Sequence, residues 1–575
     1  MKNIIIKKIS ICLIICLLSI SFYGCGNKDI TDTSSINSHE NTSSQSNSLN
    51  NNLSSENPEV TSSNIIDSFA NDDLDFSDLF NSFSTSVDVN FNSVPSQNNH
   101  TGLAGVLPCY WFLPDNTLED GYSDEDIALC IKRLLQMGVS VVRTHNFQPG
   151  YAWDEENKCW DWDSEYMTGF YKYADIMKEN NIDIIINTTE GFCSSSRIGE
   201  PIVPVDAELP SKDFDSNGIT KESLDYNSAC ADIYADWTVQ FVKEVIIKRG
   251  YSNIKYFMYA IEPGGNVETF EQNEYSFQLY LMYLKASDEA LKNAGLRNMV
   301  KFVGPNVASY PNRPTDNITE KAKLWLNLSV QYANDYLDIY SIHRYIKTNS
   351  FISDYYSVWK EYVEYAKSII SLTGKPYWFD EWNFVADGGS YADTAADPFK
   401  ATQIALAQIS MMSSGADLSI VWYLTDIKFP NSERNSNNGE SYRNGIHLAG
   451  LQPSILESTV PYPSYYVFCM LGSAIKQGDI VYASTNNNGI YSILLKHLEG
   501  TYSIVCVSME KYDKSITYNL PDDIQNISFS KTVYNPYEFS VDENATPIES
   551  SSIINTENDF SDIVGPYQVV VYNQQ

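Results

Sequence analysis

The chain has 575 residues, enough for more than one folded core, and its 43% hydrophobic and 19% charged content is that of a soluble protein. A formal net charge of −35 argues against nucleic acid as a partner, because holding phosphates takes a basic surface. It suits a solvated protein that handles neutral or basic material, and the 40 Tyr and 10 Trp are many for such a chain.

Residues 1–25 read as an export signal. Lys2, Lys7 and Lys8 precede an apolar stretch, 9–23, that is too short for a comfortable membrane span. The stretch ends at Gly24-Cys25-Gly26, which resembles the lipobox of bacterial lipoproteins. That resemblance implies lipidation at Cys25 and an extracellular chain anchored to the cell membrane. Phe22 and Tyr23 are bulkier than the pattern prefers, which leaves plain secretion as the alternative. Beyond Cys25, residues 26–93 begin as a Ser/Asn-rich tract with no Lys or Arg between Lys28 and Lys132. Such a tract buries too little apolar surface to offset its ordering entropy and reads as a disordered tether. The seven cysteines outside the leader are scattered, odd in number and without C-x-x-C, so neither a disulfide framework nor a zinc site is expected. The six histidines show no metal spacing, and nothing calls for a cofactor.

From about residue 94 strand and helix signals alternate. Leu103–Tyr110 is the first apolar run, and Ser123-Asp124-Glu125-Asp126 is a capping box opening a helix that stops at Gly138. Strands are then expected at 139–143, 182–187, 254–261, 300–303, 337–341, 377–379 with acids where the run emerges, and 418–423. Helices separate them at 164–180, 230–248, 276–293, 320–334, 353–372 and 398–413, and a last one covers 464–476. Eight such units over 94–476 give an α/β fold of the (β/α)₈ TIM-barrel type. A doubly wound open sheet would carry a Gly-rich phosphate loop, and none is present; Thr373-Gly374-Lys375 has no upstream glycine partner and runs into Pro376. Over 477–575 the helical period vanishes, short strands appear, and all ten Trp lie upstream, between Trp111 and Trp422. This tail reads as a β-sandwich, to which the alternating Val87–Phe91 offers a further strand.

Two apolar runs end in acids. Tyr377-Trp378-Phe379 leads into Asp380 and Glu381, and Tyr256–Ile261 leads into Glu262. A carboxylate beside so much aromatic surface is costly unless it is paired or used. In a barrel, catalytic groups stand at the C-terminal ends of strands. Glu262 follows the fourth strand and Glu381 ends the seventh. Arg143 ends the second, His343 and Tyr345 follow the sixth, and Trp422 lies near the end of the eighth. Six such groups on five strand ends are harder to dismiss as solvated loop residues than any one of them. Trp378 reads as barrel core. Glu190 suits a solvated loop, His145 either orients Arg143 or is an ordinary loop histidine, and Asp380 reads as a neighbour of the site rather than a reacting group.

These motifs resemble the retaining glycoside hydrolases of the large (β/α)₈ clan, and within it most nearly glycoside hydrolase family 39, the β-xylosidase-like enzymes. The resemblance covers roughly 103–476, with the sandwich matching more loosely. It implies Glu262 as general acid/base and Glu381, in Asp380-Glu381-Trp382-Asn383, as nucleophile. It implies substrate-site roles for Arg143, His343, Tyr345 and Trp422, and Trp382 offers a further flat face for a sugar ring. The family has Asn directly before the acid/base, where it bonds the sugar 2-hydroxyl; this chain has Ile261 there. Asn187 and Asn306, near the ends of strands three and five, are candidates to take over that contact. The expected partner is a carbohydrate substrate. A carbohydrate-binding surface lipoprotein with little turnover is the competing reading, and a purely structural surface protein the third.

Overall fold

The repeating units close into one ring. The computed structural model of the protein describes residues 86–107, 122–188, 221–259, 262–263, 270–309, 318–385, 394–428, 442–443, 446–447, 450–453 and 458–575, less short gaps at 146, 148, 155, 349, 486–488, 522–523, 543 and 557–558. The leader with Cys25, the tract to residue 85, Glu190 and Ile261 lie outside the described residues. No helix among the described residues is long and apolar enough to cross a membrane.

Eight parallel strands pair in sequential order and the last closes on the first. They are β1 Leu103–Val106, β2 Val139–Arg143, β3 Asp183–Asn187, β4 Ile254–Met258, β5 Lys301–Ser309, β6 Ile339–Lys347, β7 Tyr377–Val385 and β8 Leu418–Val421. The helices are α1 Asp124–Gln136, α2 Glu165–Glu179, α3 Lys221–Phe241, α4 Phe270–Asn293, α5 Glu320–Leu328, α6 Tyr356–Ile370, α7 Pro398–Ser413 and α8 Pro463–Ala474. Local chemistry sets their starts. The Ser123–Asp126 capping box makes both reciprocal bonds, Ser164 and Thr319 cap α2 and α5 with their hydroxyls, and Asp397 caps α7 just before Pro398. Alternation along the strands divides the core. Val141, Ile185, Met258, Val303, Ile339, Trp378 and Ile420 fill the barrel interior, while Val142, Ile186, Phe257, Phe302 and Phe379 face the helices.

Three strands run further than their apolar cores suggest: β5 reaches Ser309, β6 reaches Lys347 and β7 reaches Val385. Both strands that flank β6 carry a bulge. The β5–β6 register slips between Pro305 and Val307, leaving Asn306 as the extra residue with φ of 60°. The β7–β6 register slips between Phe379 and Glu381, leaving Asp380 as the extra residue. A bulge reverses the in–out order of every residue beyond it. Each therefore re-aims the end of its strand.

The C-terminal part forms two stacked sheets. Its strands are β9 Ile480–Ala483, β10 Ile490–Lys496, β11 Tyr502–Ser508, β12 Lys514–Asn519, β13 Ile527–Tyr534, β14 Ser552–Thr556, β15 Asp559–Val564 and β16 Val569–Gln574. Six of them order as β9-β10-β11-β16-β13-β14, and β12 pairs with β15 and with the strand Val87–Asn90, which runs parallel to it. Ile493, Leu495, Val505, Val507 and Val571 turn one face of the six-stranded sheet into the core shared with the barrel helices. Leu494, Ile504, Cys506, Val570 and Tyr572 turn the other face toward the smaller sheet.

Candidate active site

Glu381 sits on β7 in register with His343 of β6, its side chain 5% exposed. Arg143, fully buried at the end of β2, forms an ion pair with Glu381 Oε2 through Nη2 and donates from Nη1 to the Asp380 carbonyl oxygen at 2.9 Å. The Tyr345 hydroxyl donates to Glu381 Oε1. Each carboxylate oxygen thus has one donor, which offsets the cost of burying the charge and fixes the direction of the group. The Arg143 guanidinium also lies over the Trp422 ring, 5.5 Å from its centroid.

Glu262 lies in the loop after β4 with a left-handed backbone, φ 49°, and its N–H donates to the Asn306 carbonyl oxygen at 3.1 Å. A non-glycine residue in that region carries strain of about 1–2 kcal/mol, which the surroundings must hold in place. Its side chain is 29% exposed, the more open of the two acids. A carboxylate oxygen of Glu262 and one of Glu381 lie within 4.8 Å of each other, with His343 within the same reach of both.

His343 is the hub. Its Nδ1 is 3.2 Å from Glu262 Oε1 and 3.6 Å from Glu381 Oε1. Its Nε2 contacts Asn306 Oδ1 and lies 3.5 Å from Asp380 Oδ1, and the Ser341 hydroxyl donates to Asp380 Oδ2 at 2.6 Å. The two bulges supply these partners. Burial pulls the imidazole pKa down, but the charges of Glu381 and Asp380, with the bond and charge of Glu262, outweigh it and raise it above the ordinary 6.5. A pKa raised on folding gives stability that is present in full below the unfolded value of about 6.5 and is lost as pH climbs through the folded value. Wild-type protein is therefore expected to lose its stability margin over His343→Gln as pH rises from about 6.5, read from melting temperatures of both across pH.

Trp422 is 8% exposed and packs its ring 4.8 Å from His145, so it lies between that imidazole and Arg143. His145 therefore meets the Trp422 ring. Trp378 lies in the barrel interior with its ring 4.9 Å from Tyr256. Trp382 corrects the expectation of a sugar-facing ring. It is fully buried and packs on Trp359 of α6 at 5.6 Å, in the layer between strands and helices. Strict alternation from Trp378 would send Trp382 inward and Glu381 outward; the bulge at Asp380 exchanges them. Asn187 is fully buried at the end of β3, its Nδ2 3.5 Å from the Met258 carbonyl oxygen and its Oδ1 without a hydrogen-bond partner among the described residues. Asn306 directs its side-chain oxygen at His343. Sequence reasoning overlooked Ser341 and Lys321. Burial depresses the pKa of Lys321, and the charge of Glu262 opposes that shift, which places the ammonium in the field of the acid. A proline within a strand run, Gly304-Pro305-Asn306, was the available signal for the first bulge.

Glu262, His343 and Glu381 each offer one ligand atom at a spacing a cation can bridge. The Arg143 charge and the Tyr345 donor already occupy the oxygens of Glu381, which opposes a second cation there.

No family model matches the sequence, and no curated protein does. Solved structures share the fold. A GH30 endoxylanase from Clostridium papyrosolvens is 13% identical with a TM-score of 0.53, over 85% of this chain and 100% of that one. A family 51 α-L-arabinofuranosidase from Bifidobacterium longum is 10% identical with a TM-score of 0.55, over 86% of this chain and 100% of that one. An α-L-arabinofuranosidase from Thermotoga maritima is 14% identical with a TM-score of 0.52, over 86% and 100%. These neighbours are glycoside hydrolases with the same barrel, of families 30 and 51 where the family is given. The likeness to family 39 rests on the sequence motifs alone.

Proposed function

We propose that the chain is an extracellular retaining glycoside hydrolase that cleaves β-glycosidic bonds of an oligo- or polysaccharide through a covalent glycosyl–enzyme intermediate. The observation that carries this reading is the pair of carboxylates whose oxygens lie within 4.8 Å at the C-terminal end of the barrel. That suits the retaining carboxyl separation of about 5–5.5 Å and leaves too little room for a water between acid and base on opposite faces of the sugar.

The two acids have different surroundings and so different tasks. Glu381, oriented by Arg143 and Tyr345, attacks the anomeric carbon; the C–O bond to the leaving group breaks as the new ester bond forms. Glu262, more open and beside His343, gives its proton to the departing oxygen. Glu262 then takes a proton from water, which attacks the same carbon and releases Glu381. Trp422 stands at the strand-eight end of the site, where its ring packs on Arg143, and Asn187 is the candidate for the sugar 2-hydroxyl. The lipid anchor at Cys25, followed by the Ser/Asn-rich tract, would hold the barrel outside the cell, within reach of glycans too large to enter.

Ile261 favours a second reading, a carbohydrate-binding surface lipoprotein on the same fold with weak turnover, since an isoleucine cannot bond a sugar hydroxyl. A panel of aryl β-glycosides and plant or microbial polysaccharides separates the two. Hydrolysis of at least one member supports the enzyme; glycan binding with no hydrolysis of any member supports the second reading.

A further inference from the structure

The inner face of the six-stranded sheet is not covered along its whole length. Even-numbered residues of β10 face the smaller sheet, and Ile490 and Leu494 are packed in that core. The next residue of the same row is Lys496, beyond the point where the covering strands end at Asn90 and Asn519. Where the cover stops, a cavity of about 480 Å³ opens. Tyr482, Leu494 and Tyr502 line it from three adjacent strands, Tyr482 half-buried and the other two buried, with Tyr482 paired to Leu494 and Lys496 paired to Tyr502. Phe91, Asn92 and Asn519 stand on the rim. The Asn519 amide donates to Asn90 Oδ1 at 2.9 Å, and the Lys496 ammonium lies over the Tyr502 ring at 5.4 Å.

We infer that this cavity is a second, non-catalytic binding site for a short oligosaccharide. The half-buried rings of Tyr482 and Phe91, among amides, a serine hydroxyl and one ammonium, match the two chemistries of a sugar ring, an apolar C–H face and a belt of hydroxyls. The volume has room for roughly two sugar rings. No carboxylate lines the cavity among the described residues. The site lies on the face of the six-stranded sheet turned away from the barrel, so a bound glycan would be held without entering the catalytic cleft. The choice of sugar over other amphipathic ligands rests on the proposed activity; the cavity itself does not.

Calorimetric titration of the full chain carrying Glu381→Gln, with xylo-, cello-, laminari- and mannohexaose as probes, tests the assignment. At least one hexaose is expected to bind, and Tyr482→Ala or the cavity-filling Asn92→Trp is expected to weaken one bound equivalent by about tenfold or more. In an otherwise wild-type chain, Tyr482→Ala should leave hydrolysis of a soluble aryl β-glycoside within about twofold. Binding that ignores both substitutions, or a parallel fall in binding and hydrolysis, overturns the inference. Binding that depends on Tyr482 in a chain that hydrolyses nothing keeps this site and removes the catalytic reading instead.

Discussion

Replacing Glu381 by Gln is expected to lower kcat by roughly 10⁴-fold or more while substrate affinity changes little. The amide keeps the shape of the carboxylate and still accepts the Tyr345 hydroxyl, so the sugar pocket survives. It cannot attack the anomeric carbon, and no neighbouring group among the described residues is placed to do so. Asp380 faces Ser341 and His343 from the bulge, and Glu262 stands on the leaving-group side. A structural cost accompanies the change. Arg143 is fully buried, and removing its charged partner should cost about 3 kcal/mol of unfolding free energy, measurable by chemical denaturation. Kinetics of the purified variant with an aryl β-glycoside decide the matter. Turnover within about tenfold of wild type would remove Glu381 as nucleophile.

The second large effect is expected at Glu262. Glu262→Gln removes the proton donor but leaves the nucleophile with both of its partners. For a poor leaving group such as a sugar alcohol, kcat/KM should fall by about 10²–10⁴-fold. A dinitrophenyl leaving group needs no proton, so formation of the glycosyl–enzyme should be nearly unimpaired and its hydrolysis should become slow. A burst of dinitrophenol followed by a slow steady phase is the expected trace. Equal loss on both leaving groups, with no burst, would show that Glu262 holds structure rather than a proton. The strained backbone at Glu262 makes the control necessary: the variant's melting temperature must match wild type before the kinetics are compared.

How far the sequence carried these conclusions depended on periodicity. The eight strands, their order and the helices between them were legible because apolar residues repeat at strand and helix spacing, and because Ser123, Ser164 and Asp397 are ordinary caps. Arg143, Glu262, His343, Tyr345, Glu381 and Trp422 were legible as polar or aromatic groups at strand ends, and the fold brings them together. What periodicity could not show were the interruptions of itself. A bulge leaves no composition signature at Asp380, yet it turns Glu381 into the barrel and Trp382 out toward Trp359. The same device at Asn306 brings an amide against His343, where the sequence offered only an asparagine after a proline. In the sandwich, β9, β12, β14 and β15 escaped notice; β12 and β15 each have only two or three apolar residues among polar ones, and the pairing of β12 with Val87–Asn90 and with β15 is a long-range contact that local pattern does not encode.

The arrangement of the two acids makes one claim above all, that a single anomeric centre is inverted twice. Proton NMR of the first sugar released from the best-cleaved aryl β-glycoside, recorded before mutarotation, reads this directly. The account predicts the β-anomer as first product. First appearance of the α-anomer would mean direct attack by water, and Glu381 could then not be the nucleophile.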